Sequence, residues 1–422
     1  MTRSFSSQGG VVSDVRELPG LRGRGFALLI GATAIGLCGF AAVLPLVPLW
    51  AARGGADEFG AGATTAVFML TTVLAQLGMP WLLDRGAYRW SFPVGSLVMG
   101  LPTPLFALTT DLLPLVVVSG VRGIGFGMVT VAGTALAARL VPGKQLGRAT
   151  AFYGLAVGIP QVFILPGGVA LALTIGFGPV FWATGACGVI AAALSSGIWF
   201  ADGGRNRPAL RSTPPVSGTS DTGEDPKGAA LMAVLTAPLV MMLTVASAAS
   251  AIVTFLAIPF EQAAWLVSGA LALYALFVVV GRWSAGSFYD RRGRTILLLP
   301  GMISAGLGMA LTTAAMWTDG GTGAPSALTS VCVLVGATLL GLGFGAVQND
   351  TVTIMLGRAG PSGNGRASAV WNIGYDGGMG MGAVGLGVLI QFLGYGPAFA
   401  VVAVVLFAAV PLALGGNRVR NH

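Results

Sequence analysis

The chain has 422 residues, of which 55% are hydrophobic and only 9% charged, with a mean hydropathy of +0.82. Soluble globular chains carry about 25% charged residues, so this composition excludes an ordinary water-facing surface and makes a lipid bilayer the expected surroundings. The net charge of +8 does not point to nucleic acid, because the basic residues fall in short clusters between apolar runs and form no stripe. Cys38, Cys187 and Cys332 lie inside apolar runs. They read as small hydrophobes with no disulfide framework.

Residues 1–24 are polar and form an N-terminal tail. A membrane span takes roughly 20 apolar residues. On that rule the runs fall at about 26–50, 61–83, 91–110, 113–140, 149–174, 178–200, 229–257, 264–286, 295–317, 327–357, 367–393 and 396–415. The first is too long for a signal-peptide core of about 7–15 residues and is read as an uncleaved first span. Residues 201–228 are rich in Pro, Gly, Ser, Thr and charge, the composition of a flexible linker. The expected organisation is therefore all-α, with twelve transmembrane helices in two six-helix bundles at 25–200 and 229–415, joined by the linker and closed by a tail at 416–422.

Orientation follows from the arginines. If the first span enters from the cytoplasm, inward segments hold Arg85 and Arg89, Lys144 and Arg148, the linker cations, Arg291, Arg292 and Arg294, Arg358 and Arg366, and Arg418 and Arg420. Outward loops hold only Arg53 against Asp57, Glu58, Asp111, Glu261 and Asp319. This satisfies the positive-inside rule with one exception. Both termini are expected in the cytoplasm of a multi-pass cell-membrane protein.

The two halves echo one another. Asp84-Arg85, after the second run, matches Asp290-Arg291, after the eighth, at an offset of 206 (290 − 84). GIGFG at Gly123–Gly127 matches GLGFG at Gly341–Gly345, and GRATAFYG from Gly147 matches GRASAVWN from Gly365, at an offset of 218 (345 − 127). Twelve extra residues in the second half account for the change, and WTDGGTGAPS is the expected site. Repeated spacing of this kind signals a pseudo-symmetric duplication.

These residues carry a family resemblance. Gly286, Asp290, Arg291, Gly293 and Arg294 match G-x-x-x-D-R-x-G-R, the signature between helices 2 and 3 of the major facilitator superfamily. The first copy departs from it, with Pro80 at the first Gly position, Ala87 at the second Gly position and Tyr88 at the last Arg position, and Arg89 one place on. Arg122 and its following glycines resemble the family's second motif. Pro45 and Pro48 in LPLVPLW resemble the twelve-helix drug:proton antiporters. The antiporter motif of helix 5 is only partly matched: Gly154, Gly158, Pro160 and Pro166-Gly167-Gly168 are present, but the Gly-Pro dipeptide is missing. The resemblance implies that each charged hairpin packs on the N-terminus of a helix in the other half. Asp84, Arg85, Arg89, Gly286, Asp290, Arg291, Gly293 and Arg294 would then form a conformational latch, since an anion is favoured at a helix N-terminus. The competing reading is that these charges only fix topology.

Four ionisable residues fall deep inside spans: Arg122, Arg282, Asp350 and Asp376. Each costs at least about 2.5–3.5 kcal/mol at the bilayer centre, so each needs a reason. They are candidates for proton coupling, with structural ion pairing as the alternative. At about 1.5 Å rise per residue, Arg282 and Asp350 share a depth of roughly 12 Å from the hairpin face, and a direct pair between them is expected. Gln161, Gln348, Asn349, Trp371, Asn372 and Tyr375 are candidates to line a substrate cavity. The polar residues are concentrated in the second half, which suits an amphipathic cargo better than a sugar.

The reading that follows is a monomeric secondary transporter working by alternating access. Its partners are protons and a small molecule, and its expected activity is proton-coupled efflux of a lipophilic or amphipathic compound. Proton-coupled uptake of an organic acid is the alternative, with Arg122 able to meet a carboxylate. A receptor or membrane enzyme on the same scaffold is the third class. The sole histidine is His422, and no Ser-His-Asp set, metal cluster or phosphate loop is visible, so no catalytic residue, metal or cofactor is assigned.

Overall fold

A computed structural model describes residues 20–200, 228–318 and 325–416 of the chain. The expected tail before Gly20, the linker and the tail beyond Gly416 lie outside the described residues. Twelve helices are long and apolar enough to cross a membrane: α1 (Arg24–Arg53), α2 (Glu58–Asp84), α3 (Tyr88–Leu108), α4 (Leu112–Arg139), α5 (Leu146–Ile175), α6 (Phe177–Gly197), α7 (Met232–Phe255), α8 (Ala264–Arg292), α9 (Leu298–Thr318), α10 (Ala327–Ala359), α11 (Arg366–Leu393) and α12 (Tyr395–Leu414). Several extend past the apolar runs because polar residues cap them. Asp57 accepts a hydrogen bond from the Gly60 N–H at 2.7 Å, and Ser326 accepts one from Thr329 at 3.1 Å, satisfying otherwise orphaned donors. The turns between α5 and α6 and between α11 and α12 rest on Gly176 (φ 97°) and Gly394 (φ 81°). Only glycine takes such a conformation without strain, and the two are 218 residues apart, as the repeat requires.

Helical backbone continues from α10 into α11 without a break, yet the chain reverses there. Trp371 donates to the Thr351 hydroxyl at 3.1 Å across twenty residues, a separation that a straight helix would stretch to about 30 Å.

The repeat holds atom by atom. A Cβ added to Gly123 would overlap the Phe68 carbonyl, and one added to Gly341 would overlap the Tyr274 carbonyl. Gly127 meets Thr72 as Gly345 meets Val278, and Gly125 meets Gly95 and Met99 as Gly343 meets Gly301 and Ala305. Every partner on α2 and α3 maps to its counterpart by 206, and every partner on α4 by 218. The glycine runs thus let α4 and α10 lie directly on neighbouring backbones, the role of small residues where lipid supplies no hydrophobic drive between helices. The twelve-residue insertion falls between Ala305 and Gly341, the interval that contains its expected site.

The two halves meet along two antiparallel seams, α2 with α11 and α5 with α8. The α2–α11 seam is closed at the Arg53 end. Gly387 lies on the backbone of Glu58 and Phe59, Gly62 on the Ala383 carbonyl, and Gly380 against Met69. Beside this seam α7 ends in a π-helical turn, Ala251–Phe255, that is wholly buried, with the Phe255 ring against Gly62. Arg53 pairs with Glu261, and Gln391 donates to Asp57 at 2.9 Å. Arg53, the exception to the charge asymmetry, therefore bridges the halves. At the opposite end Asp84, Arg85, Arg89, Asp290, Arg291, Gly293 and Arg294 are exposed and Gly286 is half-buried. Among the described residues none of them forms an ion pair with the other half.

Candidate functional site

The last rung of the α2–α11 seam is polar. Gln76 on α2 donates through Nε2 to Asp376 on α11 at 2.8 Å. The same nitrogen lies 3.3 Å from the Thr130 hydroxyl on α4, which donates to the Gly127 carbonyl at 3.1 Å. Asp376 is buried, with 5% of its surface exposed. The other side of the amide, Gln76 Oε1, is buried and has no hydrogen-bond partner. An orphaned acceptor inside a protein is costly, about 1–3 kcal/mol.

Around this bridge runs a band of rings. Tyr274 stacks on Phe344 with centroids 6.1 Å apart, Phe344 lies 5.8 Å from Tyr375, and Tyr375 lies 5.9 Å from Trp371. Gln348 is buried and neighbours Tyr375. Asn372 turns back to its own helix, donating to the Ser368 carbonyl at 3.0 Å. Asn349 lies beside Gly286 of the hairpin on α8. Gln161 on α5 is half-buried.

Arg282 and Asp350 do not pair; the expected contact is absent, and among the described residues the only ion pair is Arg53–Glu261. Equal depth on two helices says nothing about direction around each axis. Asp350 is 1% exposed and lies beside the backbone of Leu297 and Leu298 at the start of α9, with no hydrogen-bond partner on either carboxylate oxygen. Arg282 faces α11 beside Tyr375. It shares a helix face with Leu271 and Ala275, which are buried, whereas Arg282 itself is exposed.

Arg122 stands apart from all three. It is 3% exposed and donates through Nε to the Met99 carbonyl at 3.1 Å and the Thr103 hydroxyl at 3.0 Å. The rings of Phe68 and Phe106 lie 5.8 and 5.5 Å from its guanidinium carbon. The cavity beside it, lined by Phe40, Thr64, Thr65 and Ser119 among others, has a volume of about 20 Å³, room for about one water. Stacked Phe40 and Phe126, with centroids 4.2 Å apart, continue this aromatic packing within the first half.

Gln76 was not among the candidate residues. Its signal was the repeat: 282 − 206 = 76, so the amide occupies the place of Arg282. The gate residues Arg53, Asp57, Glu261 and Gln391 were visible only as loop and helix-end polar groups.

The family model of the Major Facilitator Superfamily matches residues 29–362, and the chain belongs to that superfamily. It is a multi-pass membrane transporter rather than an enzyme. Many solved structures share the fold, among them two transporters. The nucleoside transporter NupG aligns with a TM-score of 0.67 at 14% identity, covering 93% of this chain and 98% of that one. A POT family transporter in complex with a thioalcohol-conjugated peptide aligns with a TM-score of 0.68 at 13% identity, covering 93% and 96%. No curated protein sequence matches the chain.

Proposed function

We propose that this chain is a proton-coupled secondary transporter in which the Gln76–Asp376 bridge is the coupling joint. The observation that carries this reading is a buried carboxylate placed on the seam between the halves, hydrogen-bonded across it, with an unpartnered amide oxygen beside it. A protonated Asp376 can donate to Gln76 Oε1 while accepting from Nε2, closing a two-bond acid–amide pair. An ionised Asp376 keeps only the second bond and leaves Oε1 orphaned. The proton thus gains a bond in the conformation closed at the Arg53 end. A ligand that gains contacts in one state shifts the population toward it. With the hairpins facing the cytoplasm, as the arginines favour, the proton would leave through the open inner side. Its loss weakens the bridge and releases the Arg53 end to open. The hairpin latch would then engage in the opposite conformation.

Two cargo directions fit an inward proton path: efflux of an amphipathic molecule in exchange for protons, and uptake of an organic acid with them. The resemblance of α1 to the antiporters favours exchange. The second reading draws on Arg282, a cation with no anionic partner. The two structural neighbours, a nucleoside transporter and a POT family transporter in complex with a conjugated peptide, do not choose between them at 13–14% identity. The deciding experiment is transport in proteoliposomes under an imposed pH gradient, with internal pH followed by a trapped dye. Asp376→Asn is expected to remain folded and lose proton movement. Wild-type proton movement in that variant overturns the reading.

A further inference from the structure

The repeat makes the two seams comparable position by position. Gln76 corresponds to Arg282 (282 − 206), and Asp376 corresponds to Gly158 (376 − 218). On the α2–α11 seam the polar rung is complete, an amide donor meeting a carboxylate at 2.8 Å. On the α5–α8 seam a stronger donor, the Arg282 guanidinium, has no carboxylate opposite it, because that position is glycine. A Cβ added to Gly158, or to Gly154 one turn away, would meet no atom within 4 Å. At these two positions the absent side chains leave open space on α5. Among the described residues Arg282 makes no ion pair and no hydrogen bond; it is exposed and stands beside Tyr375.

We infer that Arg282 and the hollow at Gly154 and Gly158 form the binding site for the carboxylate of an amphipathic organic anion, with the cargo taking the place that Asp376 fills on the other seam. Guanidinium and carboxylate meet through paired, charge-assisted hydrogen bonds, and Trp371 and Tyr375 offer ring faces to the apolar part. A cationic cargo would be repelled by Arg282 and would find the nearby acid, Asp376, already bonded to Gln76. Binding at this rung draws α5 and α8 together as the bridge draws α2 and α11 together, so that an occupied site favours closure of both seams. The inference rests on the transporter reading above and not on its proton coupling.

The test uses the full chain in lipid nanodiscs near neutral pH, with no pH gradient, and calorimetric titration of phenylbutyrate, decanoate, phenylbutyramide and phenylbutylamine. The carboxylates are expected to bind and the amide and amine are not. Arg282→Gln should weaken carboxylate binding by about tenfold or more, the loss of a charged hydrogen bond, while Arg282→Lys retains part of it. Gly158→Asp, which supplies a carboxylate within the chain, should exclude phenylbutyrate. Equal binding of carboxylate and amide, no binding of either carboxylate, or unchanged affinity in folded Arg282→Gln would overturn the assignment. Because no gradient is applied, loss of proton coupling leaves this readout intact, and loss of binding leaves the coupling test intact.

Discussion

The α2–α11 and α5–α8 seams descend from one pattern and have been finished differently. The first is zipped by glycines on backbone and ends in a protein-to-protein hydrogen bond between Gln76 and Asp376. The second has no such rung: Arg282 stands beside Tyr375 on α11, and the position that the repeat sets opposite it is Gly158. A symmetric scaffold with two identical rungs would hold both seams with equal strength at all times. On the reading proposed above, placing the acid on one seam and the unmatched cation on the other separates two jobs: one rung is completed within the chain and would respond to a proton, and the other would be completed by what enters the cavity.

The comparison breaks most sharply at Asp376. Asp376→Asn should abolish proton movement in proteoliposomes, because an amide at this position keeps both bonds to Gln76 and carries no exchangeable charge; a trapped pH dye reads the result. Next comes Gly62→Leu. Any Cβ there meets the Ala383 carbonyl, and overpacking of this kind costs about 1–3 kcal/mol. Closure at the Arg53 end should fail, and transport should fall by about tenfold or more, measured as cargo flux. Gln76→Leu removes the donor from Asp376, and a hydrogen bond to a charged group is worth about 1.5–3 kcal/mol. Its expected effect is a flux at least about tenfold lower, with folding intact by thermal shift. The smallest effect belongs to the Arg53–Glu261 pair, whose side chains are 36% and 34% exposed. A pair this open is worth about 0–1 kcal/mol. Glu261→Ala should change flux by no more than about fivefold, and the difference should shrink in high salt.

Much of this was legible in the chain before any fold was in hand. Apolar run length reveals twelve spans, because a bilayer demands about twenty apolar residues whatever the neighbours are. The two offsets revealed the repeat, and the glycine contacts at Phe68 and Tyr274 show that they are structural registers. The buried acids stood out because charge inside a span is rare. What was not legible was direction around a helix axis. Counting residues gave Arg282 and Asp350 the same depth, but depth is a single coordinate. Asp350 lies toward the start of α9 and Arg282 toward Tyr375 on α11. Gln76 stayed hidden because an uncharged amide inside a span carries little weight until its partner is seen. The closed Arg53 end was hidden for a similar reason, since Asp57 and Gln391 are ordinary end-of-helix residues until their helices are brought together.

On the proposed mechanism, protonation of Asp376 favours the conformation closed at the Arg53 end. The direct measurement is the spin-label distance distribution between Lys144→Cys in the first half and Gly357→Cys in the second. Both positions are exposed near the hairpin end, and the three native cysteines would be replaced. Lowering pH should shift the wild-type background toward the longer, hairpin-open distance, and Asp376→Asn should hold that long distance at every pH. A pH-dependent shift that persists in Asp376→Asn, or a wild-type distribution that does not move with pH, would contradict the account.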